Sequence, residues 1–216
     1  KIILGAANIH ERFSHISIFQ YISSFFYNYI FLKNGILIPI SLVASYFFFF
    51  TYNEFKKSLL KKNLIYANVH FLILVISLYA LNRYSEYGND AQVHFYYFVF
   101  IIFLFKFFKK NDKNIIKELF FLSLFIFLMK PTFIFVSLIP FILFLKFKKK
   151  KQLIKSYSFL IYSMFLILWL LKNLLISGCL VYPLNFTCND KIIWKSSNLN
   201  ENIIINEAWS KGWPDL

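Results

Sequence analysis

Glycine and cysteine are scarce in this chain. Five Gly and two Cys stand among 216 residues. Glycines this few, and never clustered, leave no phosphate-cradling Gly loop and no nucleophile elbow. Two cysteines and four histidines without ligand spacing leave no metal-binding cluster. Acids are scarce too, ten Asp+Glu against 24 Lys+Arg, so the net charge is +14. An excess of this size serves nucleic acid when it forms a basic surface interleaved with aromatics. Here the charges sit in short blocks between apolar runs, which excludes a nucleic-acid partner. No internal repeat is visible, which counts against the repeat architecture of many transporters.

What the chain does have is apolar length. It is 59% hydrophobic and 22% aromatic, with thirty Phe and fourteen Tyr, and its mean hydropathy is +0.59. Crossing about 30 Å of hydrocarbon takes roughly 20 apolar residues, and runs close to that length recur. The fold class expected is all-α, a polytopic transmembrane helical bundle of about six spans, with the lipid bilayer as its first partner. Spans are expected at residues 36–52, 64–82, 93–108 and 156–178. Two more, shorter, fall within 115–147, where Pro131 bars helical geometry at Lys130. Residues 16–32 are apolar but interrupted by Gln20, Ser23, Ser24 and Asn28, which suits a helix lying in the interface. The last span should stop at Ser177-Gly178, since Gly takes the left-handed residue that ends a helix, and Pro183 keeps it from restarting.

Charge placement orients the bundle. Blocks at 53–63, 106–117 and 146–155, expected as loops, hold four, five and six basic residues, fifteen of the 24. With Glu54, Asp112 and Glu118 they carry +12 of the +14. The positive-inside rule puts these blocks in the cytoplasm. Residues 1–35, the polar turn 83–92, the Lys130 apex and the segment 179–216 then lie on the other side. Three regions follow: 1–35 as loop and interfacial helix, 36–178 as the bundle, and 179–216 as the start of an extracytoplasmic segment. The chain starts at Lys1 without an initiator Met, and is read as an internal part of a longer protein.

The candidates for chemistry gather on the extracytoplasmic side. They are His10 and Arg12, then Glu86 and Asp90, then Lys130, then Lys172 and Asn173. Carboxylates can act as bases and cations can hold phosphate. Each has a plainer reading. Glu86 and Asp90 suit a solvated turn, His10 and Arg12 an interface, and Lys172 can snorkel. Lys130 is sharper, because an ammonium between two apolar helices costs a few kcal/mol near the bilayer centre, so it should line a wet cavity or pair with an acid. Cys179 and Cys188 lie nine apart on the same side, and a disulfide closing that loop is the natural reading in an oxidising compartment. Asn185-Phe186-Thr187 matches a glycosylation sequon, a triplet common by chance.

The order of residues also resembles a known family. Gly5, Asn8, His10 and Arg12 precede an amphipathic helix. An acid-bearing turn with Asp90 and a Lys-Pro-Thr kink follow, then Trp169, Lys172, Asn173, Ser177, Gly178, Cys179, Tyr182 and Pro183. This order is similar to polytopic GT-C glycosyltransferases related to mannosyl- and aminoarabinose-transferring enzymes, in a poorly characterised bacterial branch. The closing EAWSKGWPD fits that branch, and the resemblance covers nearly the whole chain. It implies inverting sugar transfer from a polyprenyl-phosphate donor at the extracytoplasmic face of a bacterial inner (plasma) membrane. The acceptor would be a cell-envelope glycan, lipid or protein. In the family the general base is an acid in the first extracytoplasmic loop, expected here upstream of Lys1, and Asp90 corresponds only approximately to a second-loop acid. No cofactor is implied, and a divalent metal stays open. The competing class is a transporter or flippase for a lipid-linked or anionic solute.

Overall fold

The computed structural model describes residues 4–9, 18–27, 35, 37–79, 90–110, 113–146, 157–182, 184–197 and 204. Among these the chain is all-α, with seven α-helices and no strand beyond one isolated bridge between Cys179 and Cys188. The helices are α1 (Ile18–Phe25), α2 (Ile38–Leu60), α3 (Leu64–Tyr79), α4 (Asp90–Lys110), α5 (Lys113–Met129), α6 (Ile134–Lys146) and α7 (Tyr157–Ser177). They divide between two compact units, one of residues Ser17–Phe159 and one of Lys1–Ile16 with Leu160–Leu216.

In the Ser17–Phe159 unit, α2 and α3 form a hairpin closed by backbone chemistry. Lys62 takes a left-handed φ of 53°. Its N–H donates to Leu59 O, and the Asn63 N–H reaches back to Ser58 O, the reciprocal pair that satisfies the last carbonyls of a helix. The Asn63 side chain then accepts the Tyr66 N–H and caps α3. This corrects the expectation that 53–63 is a loop, because α2 runs on through Leu60. Glu, Lys, Ser and Leu are adequate helix formers, so charge ended the apolar pattern without ending the helix.

Helix α5 ends at Met129 and α6 begins at Ile134, with a 3-10 turn at Pro131–Phe133 between them. Lys130 is extended there (φ −145°, ψ 101°), as a residue preceding proline should be. The core joining α4, α5 and α6 repeats every seven residues on α4 (Val93, Phe100, Phe107) and sits on Ile116, Leu119, Ile126 and Val136. That is the stripe of one helical face. Phe19 of α1 is buried in the same cluster. A second core stacks Phe47 of α2 on Phe95 of α4, ring centroids 4.8 Å apart, with Ile73 and Ile102 beside them.

Among the described residues, two helical stretches, Ala91–Lys109 and Phe159–Ser177, are long and apolar enough to cross a membrane. The other expected spans are less complete. Helix α3 has 16 residues, α5 has 17 and α6 has 13, while α2 carries its basic block within the helix.

Candidate functional site

In the unit containing α7, the end of that helix is built as a collar. A helix leaves its last carbonyls without partners, and here segments distant in sequence supply the donors. The Gly5 N–H donates to Leu175 O, Ser196 N–H to Ser177 O and Asn189 N–H to Gly178 O, each at 3.0 Å. The Trp194 indole N–H donates to Leu174 O at 3.2 Å. Gly178 stops the helix at φ +74°, and a Cβ there would stand 2.8 Å from Lys195 Cα. A disulfide joins Cys179 and Cys188.

Lys172 and Asn173 lie one turn before this collar. Lys172 is 8% exposed, and its ammonium stands 5.8 Å from the Trp169 ring centroid. Asn173 is 4% exposed, and its amide donates to Leu180 O at 3.1 Å. That bond ties the disulfide loop to the helix, and the Asn173 carbonyl accepts the Ser177 hydroxyl.

The other unit holds Lys130 and Asp90. Phe133, three residues past Lys130, lies 6.2 Å from the His94 ring and 5.8 Å from the Tyr97 ring. The Lys130 turn therefore meets the first turns of α4. Asp90 is the first residue of α4, one turn before His94, which corrects its placement in a polar turn running to residue 92. Lys130 is half-buried. His10, Arg12, Glu86 and Pro183 lie outside the described residues.

At the opposite end of α4, beside two of the basic blocks, the structure holds a polar cavity of about 460 Å³. Glu54, Lys57, Lys61, His70, Lys106 and Lys109 line it. Lys106 lies 2.9 Å from Glu54, and Lys57 lies 3.2 Å from the other carboxylate oxygen. The Lys106 ammonium also stands over the Phe50 and Phe103 rings at 5.0 and 5.2 Å, and Lys109 stands over Tyr66 at 4.7 Å. Burial raises the pKa of Glu54, but the hydrogen bonds and charges of Lys106 and Lys57 outweigh it and hold the carboxyl below its ordinary value. A neighbouring cleft of about 370 Å³ is apolar, walled by Leu42, Tyr46, Phe95, Phe103 and Phe121. Among the described residues no group of His, Cys, Asp and Glu could hold a metal ion.

The chain belongs to the domain family of unknown function DUF8201, whose model matches residues 1–213. No protein of curated function and no solved structure matches it.

Proposed function

We propose that this chain is a polytopic membrane glycosyltransferase-like protein of the GT-C type. It would transfer a sugar from a polyprenyl-phosphate donor, at the extracytoplasmic face of a bacterial inner membrane, to a cell-envelope acceptor. The observation that carries this reading is the meeting of the Lys130 turn with the start of α4, where Asp90 stands. A cation and an acid at one end of an apolar bundle suit a phosphate leaving group and a reacting hydroxyl. In the transfer, the acceptor oxygen bonds to the anomeric carbon as the carbon–oxygen bond to phosphate breaks. The electron pair leaves on the phosphate, and the acceptor proton passes to a carboxylate.

A membrane setting is supported by the two long apolar stretches and by large apolar side chains that face outward. Phe49, Phe71, Ile76, Leu138 and Phe141 are each more than half exposed, more apolar surface than water favours. The six-span topology belongs to the same proposal. Cysteine accessibility at Ser58 and Asn89 tests it, the latter position lying outside the described residues. Labelling of both from one side of the membrane overturns the topology.

The function is tested with the full-length protein in nanodiscs and a purified polyprenyl-phosphate sugar. Donor binding should weaken about tenfold in Lys130→Gln, and transfer should fall in Asp90→Asn, by less than loss of the general base itself would cause. Lys172→Gln is measured alongside. Donor carried across the bilayer without transfer favours the flippase. Folded variants that bind and react like the parent overturn the assignment.

A further inference from the structure

The polar cavity between α2, α3 and α4 plays no part in the proposed transfer and stands independently of it. Four lysines line it against the single carboxylate of Glu54, so its walls carry a formal excess of three positive charges if His70 is counted neutral. Two of those lysines are held in place by aromatic faces, and Lys106 is further fixed by Glu54. Lys106 is half-buried while Lys57, Lys61 and Lys109 reach solvent, and ammonium groups set around a space large enough for a small ligand suit an anion.

A second observation gives the anion its character. His70 is 4% exposed, and its Nε2 is buried with no hydrogen-bond partner among the described residues. Its other nitrogen faces Tyr66 O. A carbonyl only accepts, so Nδ1 carries the proton, and Nε2 of the neutral ring is left as an acceptor. A buried acceptor without a partner is unfavourable. His70 is one of the residues lining the cavity, so a ligand that suits the site brings negative charge to the lysines and a hydrogen-bond donor to the histidine.

We propose that this cavity binds a phosphate ester bearing free hydroxyls, with Lys106 and Lys109 on the phosphate and His70 Nε2 accepting from a hydroxyl. Two sources share that chemistry, a soluble polyol phosphate and the headgroup of a lipid such as phosphatidylglycerol. Phe103 bears on the choice, since its ring supports Lys106 and also walls the apolar cleft, where an acyl chain would fit.

The test uses the full-length protein in nanodiscs of neutral phosphatidylcholine. Binding of glycerol 3-phosphate is measured by calorimetry, with sulfate as an anion that offers no hydroxyl. In parallel, native mass spectrometry counts phosphatidylglycerol retained from mixed vesicles. Lys106→Gln with Lys109→Gln should weaken binding at least tenfold for every anion. His70→Phe should weaken glycerol 3-phosphate about tenfold and leave sulfate unchanged, a split that misfolding cannot produce. Lys191→Gln, on the other compact unit, should change nothing. Retention of phosphatidylglycerol with no binding of glycerol 3-phosphate assigns the lipid source, and the reverse assigns the soluble one. If neither ligand binds, or if the lysine and histidine variants bind like the parent while keeping its melting temperature, the site assignment is overturned.

Discussion

The side-chain oxygen of Asn8 accepts the backbone N–H of Ser197 at 3.0 Å, across 189 residues of sequence. The amide nitrogen of the same side chain donates to the Trp194 carbonyl at 3.2 Å. One asparagine thus holds the N-terminal turn to the segment that closes the end of α7, using both its donor and its acceptor.

Asn8→Asp tests this pairing most directly. The new oxygen would face the Trp194 carbonyl, replacing a hydrogen bond with two acceptors in apposition. A loss of about 0.5–1.5 kcal/mol is expected, visible as a lower melting temperature and faster proteolysis near residue 195. Asn8→Ala should cost less, and equal stability of Asn8→Asp and the parent would refute the role.

Gly178→Ala should be worse tolerated than an ordinary substitution at a helix end. Its φ of +74° is unfavourable for a side chain, and the added Cβ would press on the Lys195 backbone at 2.8 Å. A penalty of about 1–3 kcal/mol is expected, read from thermal unfolding in detergent. Gly5→Ala should act in the same direction, since its Cβ would meet Trp194 Cβ at 2.9 Å.

Removing the bridge between Cys179 and Cys188 should destabilise the collar. The loop it closes is short, so the entropic contribution is on the order of 2–3 kcal/mol. Mass measurement of alkylated protein before and after reduction should show both thiols protected and then released. Reduction should also expose the residue 180–187 segment to hydrogen exchange before α7.

Glu54 sets a pH dependence at the other cavity. Its carboxyl lies below its ordinary value in the folded chain, so its stabilising contribution is complete above the unfolded pKa of about 4.3. That contribution is lost as pH falls through the lower folded value. Melting temperature should therefore drop on acidification below about pH 4.3, and Glu54→Gln should flatten that part of the curve. At neutral pH the substitution should cost about 1 kcal/mol, because the pair is partly screened by solvent. An unchanged acid limb in Glu54→Gln would exclude this carboxyl as its source.

The sequence by itself determined what local chemistry controls. A glycine at 178 ends α7 because only a residue without Cβ takes that φ readily. A proline at 131 splits the long apolar stretch because it forbids helical geometry at Lys130. Apolar composition made the chain helical and rich in outward-facing hydrophobic surface. Tertiary structure decided the rest, because pairing depends on which helices become neighbours. Glu54 meets Lys106 across 52 positions, and no spacing rule predicts that contact. The basic blocks looked like topology signals, since charge counts carry no information about what they enclose, yet two of them line one cavity. Asn173 is a candidate substrate ligand by sequence, and the structure adds that its amide is bonded to Leu180 O. Nothing in its local sequence could show that, because its partner arrives only when the disulfide loop folds back on the helix end.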